Sequence, residues 1–273
     1  MLTVRMLGGF SIVAGGRAGH GELGANGRRL SAYLFAFPNS PHRRAKLVDL
    51  FWPELDPEQA RAAFGTALWR LRRLLATEMP SGAAKIAATS HDLVLEITDD
   101  SIVDAHRFAS MVTDALRSVQ ILQSLAALDR AVELYTGPFL DGDDDDWILE
   151  QRERLHCLYV RALNALMYGL SEQNRYEDAL ACGRRILAAD PMRETIQRSV
   201  MLLYVLNGQR IEALRQFERC VRVLRDDCDV EPMPETQELN SLIRSGEIFS
   251  RLPEIRRALF NHDKWDQSPI FVT

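Results

Sequence analysis

Polar and apolar positions follow two different rhythms along the chain. Over residues 2–13, apolar residues and β-formers surround a Gly8-Gly9 break, which predicts short strands. Gly15, Gly16, Gly19, Gly21 and Gly24 then mark a loop. From Arg28 the spacing changes to three and four, with Leu30, Tyr33, Leu34 and Phe37 on one side of a helix that Pro38 and Pro41 end. A shorter helix fits Arg43 to Phe51 with Leu47, Leu50 and Phe51 inward, and Trp52-Pro53 stops it.

Asp56-Pro57-Glu58 is a strong helix start: a capping acid, a proline in the first turn, and acids at the positive end of the dipole. That helix runs to about Ala76, with Ala60, Phe64, Ala67, Leu68, Leu71 and Leu75 as its inward stripe. Its outer face centres on Ala62, Thr66, Trp69 and Arg73, with Arg70 on one flank and Arg61 and Arg72 on the other. Two strands follow, Lys85 to Ala88 and Leu93 to Ile97, joined by a turn over residues 89–92. Strands, three helices and a hairpin, in that order, make a winged helix.

Beyond Asp104 the helical rhythm is continuous. Periodic stretches fall near 104–115, 121–136, 147–171, 175–189, 193–206, 209–225 and 235–245. Tyr176-Glu177-Asp178-Ala179-Leu180 and Arg210-Ile211-Glu212-Ala213-Leu214 lie 34 residues apart, and Asn174 maps onto Gly208 at the same offset. A 34-residue helix-turn-helix period is the tetratricopeptide signature, an architecture that stacks helix pairs into a scaffold for partners. Ile248 to Phe260 reads as one more helix and Asn261–Thr273 as irregular. The expected fold class is therefore mainly α: an N-terminal winged helix-turn-helix (α+β), then an all-α tetratricopeptide-like domain.

Charge sharpens this division. Residues 1–98 carry 12 Lys and Arg against 8 Asp and Glu, a net of +4, whereas residues 99–273 carry 21 against 30, a net of −9. A basic part suits phosphates and an acidic part needs a different partner. The expected domains are 1–98, 99–246 and a C-terminal extension over 247–273. No apolar run reaches the roughly 18 residues a membrane helix needs. The first residues lack the apolar core of a signal peptide, so a cytoplasmic location is expected.

Candidate chemistry is mostly absent. There is no phosphate-binding G-x-x-x-x-G-K-[ST], no G-x-G-x-x-G between a strand and a helix, no G-x-S-x-G and no H-E-x-x-H. Six histidines are scattered without ligand spacing. Cys157, Cys182, Cys220 and Cys228 form no C-x-x-C pair, so they read as small buried apolar residues in a reducing compartment. The acidic run Asp141–Asp146 fails as an EF-hand: counted from Asp141, position six is Asp146 instead of Gly and position twelve is Arg152 instead of Glu. It reads instead as a solvated loop whose last acids start the next helix. No enzyme activity, cofactor or metal is expected.

The helix from Asp56 is different. Arginines at 70, 72 and 73 flank an apolar stripe, and arginine both neutralises phosphates and reads guanine edges. Arg43, Arg44 and Lys46 at the start of the preceding helix are placed to grip the DNA backbone, and Lys85 opens the hairpin that serves as the wing. Trp69 points outward beside Arg73, toward DNA, a second domain or a second protomer.

These residues resemble known families. Phe64-Gly65-Thr66-Ala67-Leu68-Trp69-Arg70-Leu71-Arg72-Arg73 is similar to the recognition helix of OmpR-type winged helices, which ends in R-L-R-R. Asp104-Ala105-His106-Arg107-Phe108, Leu134 through Leu140, Trp147 through Leu155, Ala189-Asp190-Pro191, Gly208 through Cys220 and Val230 through Thr236 resemble the bacterial transcriptional activator domain. The ordered set, over roughly residues 2–245, resembles a Streptomyces antibiotic regulatory protein (SARP)-type activator. The resemblance implies a sequence-specific activator that binds repeats in double-stranded promoter DNA, typically as a homodimer, and contacts the RNA polymerase holoenzyme. It implies DNA contacts from Arg70, Arg72 and Arg73 and a polymerase-contacting loop over Trp52, Pro53, Glu54, Leu55 and Asp56; Arg61, Thr66 and Trp69 are further candidate DNA contacts from their place on the outer face of the same helix. Neither nucleotide gating nor aspartyl phosphorylation is expected. Trp69 departs from the family, where small or polar residues are common. The alternatives are a tetratricopeptide-type interaction adaptor and a small-molecule sensor, each without autonomous DNA binding.

Overall fold

The structure is a computed structural model that describes residues 2–14, 17–18, 23–78, 84–99, 102–118 and 121–259. The tail from Phe260, and most of the glycine-rich loop after Ala14, lie outside them. The chain forms two compact units: one holds residues 1–114 and 130–159, the other 115–129 and 160–273.

In the first unit, β1 (Leu2–Arg5), β2 (Ser11–Ala14) and β3 (Arg17–Ala18) make an antiparallel meander. Then come α1 (Ala25–Ala36), β4 (His42–Arg43), α2 (Arg44–Phe51), α3 (Pro57–Glu78) and the hairpin β5 (Ala84–Ala88) and β6 (Asp92–Ile97). The second sheet has the order β4-β6-β5, so the short strand β4 ties the start of α2 to the hairpin through His42 opposite Leu93. This is the expected winged helix, with two corrections. Arg43, read as the first residue of the second helix, ends the short strand β4, and α2 starts one residue later at Arg44. Leu50, expected inward, is exposed, and Val48 with Leu47 and Phe51 is buried in its place. The inward arc of so short a helix is narrow, and Leu50 falls just outside it.

Residues later in the chain complete this unit. In α4 (Asp104–Arg117), the buried Asp104 carboxylate accepts hydrogen bonds from the backbone N–H groups of Met6 at 2.8 Å and Leu7 at 3.2 Å. Leu7 also pairs with Phe139, the N–H of Leu140 donates to the carbonyl of Met6, and the N–H of Gly8 donates to that of Pro138. The edge left open after β1 is thereby satisfied. Arg29 of α1 forms a bidentate pair with Asp145, just before α6 (Asp146–Glu172). An edge-to-face series of rings runs from Trp147 through Tyr33, Phe51 and Trp52 to Phe64. Each such pair adds about 0.5–1.5 kcal/mol beyond its buried area.

The second unit is helical. It takes the first part of α5 (Ile121–Leu134), the second half of α6, and α7 (Tyr176–Ala189), α8 (Glu194–Leu206), α9 (Arg210–Cys228), α10 (Pro234–Ser245) and α11 (Ile248–Leu259). The sequence repeat is also a structural one. Asn174 and Gly208 both take left-handed backbone, at φ +61° and +73°. The N–H of Arg175 reaches the carbonyl of Leu170, and that of Gln209 reaches Tyr204, the same helix-ending turn 34 residues later. Ala179 and Ala213, equivalent in the repeat, are both fully buried.

The cysteines divide. Cys182 and Cys220 are buried, as expected, and burial pushes both thiols up to about 11. Cys157 is half-buried and Cys228 is exposed, contrary to expectation. Among the described residues, no group of three His, Cys, Asp or Glu side chains is placed to hold a metal ion, and no helix is long and apolar enough to cross a membrane.

Candidate nucleic-acid interface

α3 is the centre of the candidate site. Its start is fixed by Asp56, whose carboxylate accepts from the N–H groups of Glu58 at 3.0 Å and Gln59 at 3.1 Å. Twenty-two residues at 1.5 Å each give a rod about 33 Å long. All six residues of the inward stripe, Ala60, Phe64, Ala67, Leu68, Leu71 and Leu75, are buried. Arg61, Ala62, Gly65, Thr66, Trp69, Arg70, Arg72 and Arg73 are all exposed. The outer face therefore stays clear, because the inner face alone supplies the packing.

The candidate side chains differ in how they are held. Arg61 keeps its Nε on the carbonyl of Pro57 at 2.8 Å. Thr66 donates its hydroxyl to the carbonyl of Ala62 at 3.0 Å, which leaves its methyl unengaged. Arg73 stacks on Trp69, its guanidinium carbon 5.5 Å from the ring centroid, although Trp69 is 57% exposed. Arg70 turns away along the start of α1, where its Nη1 would lie 3.5 Å from a side chain grown on Gly24. Arg72 is exposed on the other flank.

Arg44 serves as a brace. Its Nη1 donates to the carbonyl of Thr89 at 3.1 Å, its own N–H donates to His91, and its guanidinium lies 5.4 Å from the Phe64 ring. It thus ties α2, the hairpin turn and α3 together. Arg43, Arg44 and Arg61 line one open groove of about 790 Å³, with Trp52 and Phe64 among its apolar lining. His91 and Ser90 at the hairpin turn also line it. Sequence reasoning gave them no role; their place in a tight turn was the available signal. Lys46 is exposed at the start of α2. Lys85 stands apart from this group, paired across the hairpin with Glu96 at 2.9 Å at the end away from the turn.

The loop between α2 and α3 is partly core. Trp52 is buried, its ring 6.2 Å from that of Phe51 and 6.0 Å from that of Phe64. The Asp56 carboxylate is occupied as the helix cap. Pro53, Glu54, Leu55 and Asp56 all face solvent, the first three without a capping role.

Comparison with known proteins gives this arrangement a family. Residues 103–244 match the model of the bacterial transcriptional activator domain. The chain belongs to that family. Over 219 residues it is 27% identical to the regulatory protein AfsR of Streptomyces coelicolor, covering 79% of this chain and 22% of AfsR. It is 26% identical over 224 residues to the transcriptional regulatory protein MoaR1 of Mycobacterium tuberculosis, covering 78% of this chain and 70% of MoaR1. The chain thus spans about a fifth of AfsR and more than two thirds of MoaR1. The structure of Mycobacterium tuberculosis EmbR, solved in complex with a low-affinity phosphopeptide, superposes with a TM-score of 0.73 at 22% identity. It covers 94% of this chain and 69% of EmbR. The fold is that of a winged-helix N-terminus followed by an all-α domain, the domain pair of SARP-type proteins, and the chain carries a bacterial transcriptional activator domain.

Proposed function

We propose that this SARP-type regulator is a sequence-specific activator that lays α3 in the major groove of promoter DNA and contacts the RNA polymerase holoenzyme. The observation that carries the reading is the outer face of α3, where Arg61, Trp69, Arg72 and Arg73 are exposed while the opposite stripe is buried. An α-helix about 10–12 Å across fits a major groove about 12 Å wide. Arg43 and Lys46 at the start of α2 take the flanking phosphates. In this reading residues 1–98 are the DNA reader. Residues 99–246 are the activator domain that positions two protomers on repeated half-sites in the cytoplasm. Pro53, Glu54 and Leu55 present the polymerase contact.

The test uses the full chain. Genomic fragments are selected for binding, and affinity for the enriched motif is followed from 50 to 200 mM salt. The wild type is expected to enrich a repeated motif with affinity that falls steeply with salt. Arg72→Ala/Arg73→Ala is expected to lose the motif while keeping its unfolding midpoint. Glu54→Ala/Leu55→Ala is expected to keep DNA affinity and lose transcription in a reconstituted polymerase assay. Failure of the wild type to enrich any motif at low salt overturns the reading.

A further inference from the structure

The outer face of α3 carries more than charge. Ala62, Thr66, Trp69 and Arg73 fall within about 60° of one another around the helix and span about 16 Å along it. That is the length of about five base pairs. The first three present a methyl, a methyl and an indole, because the Thr66 hydroxyl is committed to the carbonyl of Ala62. Trp69, 57% exposed with only the Arg73 guanidinium stacked on its ring among the described residues, makes with these methyl groups an apolar strip that faces solvent. The apolar group that B-DNA displays in its major groove is the C5-methyl of thymine.

Arg73 closes the strip at its C-terminal end. Its stacking on Trp69 fixes the position of a guanidinium that is otherwise costly to order. The Arg70 Nη1 lies beside Gly24 at the start of α1, off this face. Arg73 is therefore the guanidinium best placed to read a base, and guanine O6 and N7 accept its two parallel N–H donors.

Building on the proposed DNA binding, we infer that Trp69 is a specificity-determining residue that packs a thymine methyl and holds Arg73 against a neighbouring guanine. The half-site read by α3 then contains a thymine next to a guanine, and the Trp69–Arg73 pair reads them as a unit.

The test removes the methyl from the DNA, so it does not depend on a variant chain folding. A site selected by the full chain is resynthesised with each thymine replaced in turn by deoxyuridine, and binding is measured by fluorescence anisotropy. The wild type is expected to bind about fourfold more weakly when the methyl under Trp69 is lost, the equivalent of one buried carbon group. Trp69→Ala is expected to be indifferent to that replacement and to relax the neighbouring guanine. Arg73→Ala is expected to lose guanine preference by roughly tenfold to a hundredfold. A selected site that binds equally well with uridine at every position overturns this assignment and leaves DNA binding standing. So does a uridine penalty that persists unchanged in Trp69→Ala. A chain that selects no motif overturns both.

Discussion

The Asp104 carboxylate offers the most direct test of how the first unit is held. It is 9% exposed and bridges the N–H groups of Met6 and Leu7, nearly a hundred residues earlier in the chain. Burial pushes its carboxyl up to about 6 from an ordinary 3.8, against the opposing pull of the backbone N–H groups of Met6, Leu7 and Ala105 and of Arg5. A folded value above the unfolded one means that the native state binds the extra proton more tightly. Stability therefore rises as pH falls toward 4, declines as pH climbs through 6, and is level above about 7. Between pH 5 and 7.5 the two values give a loss of about 1.4 kcal/mol from this one group. Asp104→Asn removes the titration. It leaves one of the two N–H groups facing an amide NH₂, at a cost of about 1–3 kcal/mol that does not change with pH.

The assay is urea unfolding at several pH values between 5 and 7.5. Three of the four tryptophans, Trp52, Trp69 and Trp147, lie in this unit, so intrinsic fluorescence reports mainly on it. Every other carboxylate titrates alike in both chains, so the difference between wild type and variant isolates Asp104. The wild type is expected to lose about 1.4 kcal/mol relative to Asp104→Asn across that range. Profiles that run parallel to within about 0.5 kcal/mol would refute the raised value and the burial argument behind it.

Other outcomes are open to simple measurement. Leu71→Ala, which truncates a fully buried side chain on α3, should cost about 2–5 kcal/mol in chemical unfolding, whereas exposed Arg72→Ala should cost under about 0.5 kcal/mol. Gly208→Ala places a side chain at φ +73° and should destabilise by about 1–2 kcal/mol; Asn174→Gly, at the equivalent turn, should not. With a thiol reagent at neutral pH, exposed Cys228 should react rapidly, while buried Cys182 and Cys220 should react only on unfolding.

The features that were legible in the sequence are those governed by local period. The stripe from Ala60 to Leu75 is buried in full because a helix with one apolar face has one way to pack. The 34-residue repeat carries over even to the turn hydrogen bonds, since a small or left-handed-tolerant residue is needed at Asn174 and Gly208 alike. Non-local features were silent. His42-Arg43 is a strand because β6 lies beside it, and two residues have no period of their own. Nothing near Asp104 announces that its partners are Met6 and Leu7. In the candidate site, the helical period made the exposure of the arginines legible but not the destinations of their side chains. Arg70 returns to the start of α1, Arg44 becomes a brace, and Lys85 is taken up by Glu96. Those outcomes depend on long flexible side chains meeting groups brought near by the fold.

The completion of the first sheet by residues 104 and 136–141 has a consequence for synthesis. A ribosome adding about 5–20 residues per second takes several seconds or more to pass from Leu7 to Leu140. During that interval the N–H groups of Met6, Leu7 and Gly8 have yet to meet Asp104 and Pro138. The segment that starts the reader is made first and finished late, so a nascent chain released before residue 138 leaves with the Gly8 N–H and the carbonyls of Met6 and Gly8 unpaired, open to association with other chains.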